Sequence, residues 1–261
     1  MTFPHPSPLY SAEQEHDACG VGFIANIHGE PTHAVLDRAI EGLKNLAHRG
    51  AIDADAVTGD GAGVMTQIPY EILESFLEEH GKALYDRGDL GVGVAFLPLR
   101  DEYARNHAKE IIEAAVRTEG LNFLAWRDVP VDPNCLGKKA ELTRPFVAQA
   151  LVAKPSGMES AEYERRLFLA MRASTRSAGE KNLPDFYVVS FSHRTITYKG
   201  LLNAPQVRQF YPDLRSENYR TAFAVFHQRF ATNTLPDWTK AQPYRMLAHN
   251  GEINTIQGNR N

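Results

Sequence analysis

Apolar residues alternate along Val21, Phe23, Ala25 and Ile27, the two-residue period of a strand. Leu36, Ala39, Ile40, Leu43, Leu46 and Ala47 then recur at helical spacing. That spacing predicts a helix ending at Gly50, with His48 and Arg49 in its last turn, where the helix dipole favours cations. A helix over 70–80 (Ile72, Leu73, Phe76, Leu77) is stopped by Gly81, and Val92, Val94 and Phe96 mark a strand over 91–97. A further helix is predicted over 101–118, with strand-like segments at 121–127 and 146–153. Between those two, Pro130, Pro133, Asn134 and Gly137 mark a loop that carries Cys135. Residues 159–178 form an amphipathic helix with Leu167, Phe168 and Met171 on its apolar side and Arg165, Arg166, Arg172 and Arg176 on a solvated face. Segments 186–191 and 195–198 flank a short turn and read as a hairpin. Pro205 to Tyr211 reads as a short helix or turn, and Ala222–Phe226 as a strong strand. Strands grouped in antiparallel style with helices between the groups predict an α+β fold rather than a regular βαβ series.

Composition narrows the class. A formal net charge of -4 leaves no basic surplus for nucleic acid. No apolar run approaches the roughly 18–20 residues that span a bilayer. Cys19 and Cys135 are the only cysteines, a usage that suits a reducing compartment, and a cytoplasmic location is expected. Residues 1–18 have neither the basic nor the apolar region of a secretory signal. Their prolines (Pro4, Pro6, Pro8) and acidic side chains (Glu13, Glu15, Asp17) read as an extended, solvated leader.

The chemistry begins at Asp17-Ala18-Cys19-Gly20, where a small-residue junction precedes a thiol at the mouth of a strand. Cleavage between Ala18 and Cys19 would leave a thiol and an α-amine on one residue. Their ordinary pKa values, about 8.5 and about 7.7–8.0, suit nucleophile and base near neutral pH. An uncleaved amide nitrogen has no basic lone pair, so cleavage is essential to this reading. A free cysteine in an apolar strand is also commonly a small core residue. Nothing near Cys135 suggests activation, and it reads as structural.

Thr58-Gly59-Asp60-Gly61-Ala62-Gly63 lacks the spacing of either phosphate-binding glycine motif. It reads as a tight turn set against another segment, or as the wall of a site. Arg49 is either a dipole partner or a side chain reaching an active site. Arg229, at the end of the 222–226 strand and followed by small polar residues including Thr232, suits a carboxylate ligand because the guanidinium fork grips carboxylates through paired hydrogen bonds. Pairing to an acidic side chain within the sheet is the alternative. Asn250-Gly251 is a hairpin turn in most sequences, yet a side-chain amide beside a backbone N–H also makes an oxyanion hole.

Taken in order, Cys19–Phe23, Leu46–Gly50, Thr58–Gly63, His227–Thr232 and His249–Asn254 resemble the class II glutamine amidotransferases, most closely the glutaminase domains of glutamate synthase large subunits. The long interval between Cys19 and Arg229 also resembles that branch. The resemblance implies an N-terminal-nucleophile hydrolase fold, a four-layer α/β/β/α sandwich of antiparallel sheets. It implies a leader at 1–18 and an amidotransferase domain over 19–261. The implied substrate is L-glutamine. Cys19 would attack its side-chain amide, Arg229 would hold its α-carboxylate with Thr232 and Arg49 beside the substrate, and Asn250 with the N–H of Gly251 would stabilise the oxyanion. Ammonia would pass to the synthase domains of a parent polypeptide and add to 2-oxoglutarate. FMN, an iron–sulfur cluster and a small electron-transfer subunit are expected of that parent, and no cofactor or metal of this chain. The family's substrate-amine aspartate falls beyond Asn261, so a truncated, C-terminally incomplete domain is expected. Two other classes stand beside this reading. One is a catalytically silent docking domain that keeps the fold. The other is a papain-like hydrolase using His227 or His249.

Overall fold

The computed structural model describes residues 20–83, 86–229 and 235–245. Among the described residues, eight strands form two antiparallel sheets. The first comprises β1 (Val21–Ala25), β2 (Ala62–Gln67), β7 (Thr195–Gly200) and β8 (Phe223–Gln228) in the order β1-β8-β2-β7. The second comprises β3 (Leu90–Leu97), β4 (Asn122–Asp128), β5 (Phe146–Ala153) and β6 (Tyr187–Ser192) in the order β4-β5-β3-β6. The helices are α1 (His33–Asn45), α2 (Tyr70–Glu79), α3 (Glu102–Thr118), α4 (Lys138–Leu142), α5 (Ser160–Glu180) and α6 (Ala204–Phe210).

One face of the second sheet (Ala95, Leu97, Ala148, Ala150, Val152) packs against Ala108, Ile112 and Val116 of α3 and Tyr163 and Leu167 of α5. Its other face (Val92, Val94, Phe96, Val147, Leu151) joins α1, α6 and the first sheet's Val64, Tyr198 and Phe226 in a larger core. Helices therefore flank a pair of sheets, the four-layer α+β sandwich that the resemblance implied. β3 is buried along its whole length because both cores use it. Burial of this kind contributes roughly 25 cal/mol per Å² of apolar surface.

α1 starts with the Thr32 side chain capping the Val35 N–H and buries Leu36, Ala39, Ile40 and Leu43, as their spacing predicts. It stops at Asn45, and Ala47–Arg49 is a short 3-10 turn rather than the helix's last turn. Two further expectations are corrected. β1 is an edge strand in which Phe23 is 77% exposed, so the alternating set Val21, Phe23, Ala25 is not the core face. The register Gly22↔Phe226 shows why: Gly22 and, on α1, Gly42 make room for the Phe226 ring, which a Cβ at either position would strike. The 186–191 and 195–198 segments form β6 and β7, but these strands lie in different sheets and carry the chain from one to the other.

Candidate active site

The C-terminal end of β8, the start of β1, the turn after α1 and the glycine loop before β2 converge. At the β1 edge the Gln228 N–H donates to the Gly20 carbonyl at 2.7 Å. A Cβ on Gly20 would collide with the Gln228 carbonyl oxygen and would lie 3.8 Å from the Arg49 Cβ. The residue that follows Cys19 is thus wedged between the end of β8 and Arg49. Gly50 is equally confined, because a Cβ there would strike the Gln228 side-chain amide.

That amide bridges the site. Gln228 Nε2 donates to the Gly61 carbonyl at 3.2 Å and to Asp60 Oδ1 at 3.4 Å. The Gly61 carbonyl also accepts the Arg229 N–H at 2.7 Å, and Gly61 itself adopts φ 132°, a conformation that favours glycine. The loop is further tied by Asp60 N–H to Ala51 carbonyl (3.1 Å) and Gly61 N–H to Leu202 carbonyl (3.1 Å). The loop is set against another segment, with Gly59 packed on Leu202 and Asn203, but it passes through a bend at Asp60 into β2 rather than a tight turn.

Arg229 follows β8 with φ 126°, a region that non-glycine residues occupy only under strain, and such strain concentrates at functional positions. Its Nε lies 3.5 Å from Asp60 Oδ2. The arginine therefore has an acidic neighbour, but one in the loop before β2 rather than within the sheet, where the alternative reading of the sequence placed it. It also keeps a side-chain exposure of 26%, whereas Asp60 has 5%. Burial pushes the Asp60 carboxyl above the usual carboxylate range, against the pull of the Ala51 amide and the Arg229 charge. His227 is fully buried in β8, paired in register with Val21 and Gly63.

Of the residues singled out in the sequence, Arg49 and Arg229 are brought to one locality beside Gly20. Cys19, Thr232, Asn250, Gly251 and His249 lie outside the described residues. Sequence reasoning missed Asp60 and Gln228 as members of the site. The available signal was a single carboxylate between two glycines, and an amide directly before the arginine. Cys135 is half-buried, with its thiol donating to the Asp132 carbonyl at 3.3 Å. Burial and the Asp132 charge push that thiol's pKa up, the opposite of activation.

Among the described residues no group of three or more His, Cys, Asp or Glu side chains is placed to hold a metal ion. Two cysteines in the whole sequence also fall short of the thiolate set an iron–sulfur cluster takes. No described helix is long and apolar enough to cross a membrane.

The family model for "Glutamine amidotransferases class-II" matches residues 19–261. The chain is 46% identical to ferredoxin-dependent glutamate synthase 2 of Synechocystis sp., over 95% of this chain and 16% of that protein. It is 43% identical to the glutamate synthase [NADPH] large chain of Azospirillum brasilense, over 97% of this chain and 17% of that protein. Against the glutamate synthase [NADPH] large chain of Bacillus subtilis the identity is 40%, over 99% of this chain and 17% of that protein. The chain thus spans about a sixth of the length of the curated relatives it matches.

Proposed function

The chain belongs to the class II glutamine amidotransferases, and from that premise we propose that it is the glutaminase part of a glutamate synthase. Its substrate is L-glutamine. Ala18–Cys19 is cut, so that the domain begins at Cys19 and residues 1–18 are a leader. The freed α-amine takes the proton of the Cys19 thiol, and the thiolate sulfur bonds to the side-chain carbonyl carbon of glutamine. Asn250 and the Gly251 N–H stabilise the resulting oxyanion. The carbon–nitrogen bond breaks and ammonia departs with the proton returned by the amine. Water then cleaves the thioester to give glutamate and the free thiol. Arg229 holds the substrate α-carboxylate, and Thr232 and Arg49 line the same end of the site.

The observation that carries this reading is a coincidence of position. The family model begins at Cys19, the residue whose amine the chemistry needs, and the next residue, Gly20, is hydrogen-bonded to Gln228, adjacent to Arg229. The ammonia is consumed in synthase domains of the longer polypeptide, by addition to 2-oxoglutarate. FMN, an iron–sulfur cluster and a small electron-transfer subunit belong to that part of the assembly. The setting is cytoplasmic.

Two measurements test this. Intact-mass analysis of the purified full-length protein is expected to show loss of residues 1–18. Cys19→Ala is expected to abolish glutamine hydrolysis and labelling by a glutamine-analogue electrophile. Full activity in Cys19→Ala, or in protein that retains its leader, overturns the reading.

A further inference from the structure

The reading of Arg229 as the carboxylate anchor leaves open what orients its guanidinium. Both the main chain and the side chain of Arg229 are tied to one short loop. Its N–H donates to the Gly61 carbonyl at 2.7 Å, and its Nε faces Asp60 Oδ2 at 3.5 Å. Asp60 is itself fixed from several directions. Its N–H donates to Ala51, its Oδ1 accepts from Gln228 Nε2, and Gly61 beside it is hydrogen-bonded to Leu202. Oδ2 is buried and, among the described residues, accepts no hydrogen bond. What faces it is the Arg229 guanidinium.

A carboxylate kept this buried is expensive, and apolar replacements of buried ion pairs are often at least as stable. Stability alone is therefore a weak reason for Asp60 to be there. Orientation is a better one. A guanidinium presents its donors in one plane, and a substrate carboxylate gains a bidentate grip only if that plane is set beforehand.

We propose that Asp60 is a positioning residue for glutamine binding: its buried carboxylate, braced by Gln228, sets the plane of the Arg229 guanidinium through the Nε edge, so that the Nη side meets the substrate α-carboxylate. This rests on the assignment of Arg229 as the anchor. Asp60 touches no reacting atom. Its loss weakens recognition of the amino-acid head of the substrate and leaves the thiol chemistry in place.

The test uses the full-length polypeptide that carries this chain, with Asp60→Asn and Arg229→Lys made separately and together. Asp60→Asn is expected to raise the KM for glutamine about tenfold to a hundredfold, the scale of a lost charge-assisted contact, with kcat within about threefold. Labelling of Cys19 by a glutamine-analogue chloroketone is expected to slow by the same factor, while iodoacetamide, which lacks the amino-acid head, labels at the wild-type rate. In the double variant the two effects are expected to be far from additive. If Arg229→Lys leaves the glutamine KM unchanged, the anchor assignment itself is wrong. If Arg229→Lys raises KM and Asp60→Asn does not, only the role given to Asp60 falls. A kcat loss without a KM change, or a slowed iodoacetamide reaction, equally overturns it by marking a general disturbance of the site. Should Asp60→Asn not fold, Gln228→Met, which removes the brace on Oδ1, is read by the same KM and labelling ratios. An unchanged KM there counts against the proposal.

Discussion

At the scale of single residues, two glycines packed against Gln228 are constrained by space, and the two constraints differ in kind. A Cβ on Gly20 meets a backbone oxygen, that of Gln228, in the same strand pair that Gly20 helps to close. Backbone cannot withdraw there without opening the β1–β8 ladder. A Cβ on Gly50 meets the end of the Gln228 side chain instead, which can rotate away. Gly20→Ala is therefore expected to destabilise the protein by about 1–3 kcal/mol, the usual range for overpacking. Gly50→Ala is expected to cost less stability, yet to displace the amide that holds Asp60 and so to raise the glutamine KM. Urea unfolding midpoints and steady-state kinetics on both variants check this pair of outcomes, and equal unfolding midpoints would contradict it. Asp60 shows why this layer was only partly legible. Its partner lies far along the chain, and no local pattern says that a loop carboxylate will face one particular arginine. Arg229 was legible because a cation at the end of an apolar strand is unusual by itself.

At the scale of elements, the long helices followed their sequence where one apolar face is clear: α3 buries Ala108, Ile111, Ile112, Ala115 and Val116, spaced as its pattern requires. In α5, by contrast, the buried side is Tyr163, Leu167 and Ala170, and Phe168, expected on the apolar side, is exposed. The strands were harder in two instructive places. β1 carries apolar residues on both faces, and the core side is decided by where Phe226 of β8 needs room, which lies outside β1. β6 and β7 look locally like a hairpin, and only the pairing of β6 with β3 and of β7 with β2 separates them. β7 also carries Lys199, which is 1% exposed. Its Nζ donates to the Thr239 carbonyl at 2.9 Å and to the Tyr187 hydroxyl at 3.3 Å, with the Tyr187 and Tyr244 rings at 4.9 and 4.4 Å. This lysine ties the 235–245 segment to β6 and β7. Burial lowers its pKa to about 7, against a smaller opposing effect of Asp237. The folded protein then holds this proton less firmly than the unfolded chain, whose lysines titrate near about 10.4. Between these values the unfolded state binds more protons, so the contribution of Lys199 to stability rises with pH from about 7 to about 10 and is lost on the way down. Unfolding free energies across that window should climb more steeply in the wild type than in Lys199→Met. Parallel curves would show that the lysine keeps an ordinary pKa.

At the scale of the whole molecule, β1, β8 and the glycine loop before β2 meet within the first sheet, and a shared core packs the two sheets together. A buried polar ring spans them. Arg127 of β4 grips Asp213 through two bonds of 2.8 and 2.9 Å and also donates to Gln149 of β5 at 2.9 Å. Gln149 donates to the Tyr198 hydroxyl of β7 at 3.1 Å, and that hydroxyl donates back to Asp213 at 2.9 Å. The ring thus joins β4 and β5 of one sheet, β7 of the other, and the segment that leads into β8. Every carboxylate oxygen of Asp213 has a partner, which is what makes a charge tolerable at 6% exposure. Removing one member strands the other. Arg127→Met is expected to cost about 3–5 kcal/mol, because it leaves Asp213 buried without its counter-charge. Replacing both, as Arg127→Met with Asp213→Leu, removes the stranded charge and is expected to recover a large part of that loss. The comparison separates two roles for the ring. If the double variant regains stability and also binds glutamine with the wild-type KM, the ring serves folding alone. If it regains stability but KM stays raised, the ring sets the register of the sheets on which the site depends, and this is the expected result: Asp213 lies close before β8, whose end carries Gln228 and Arg229. Denaturant titration gives the first quantity and glutamine kinetics on the full-length protein the second.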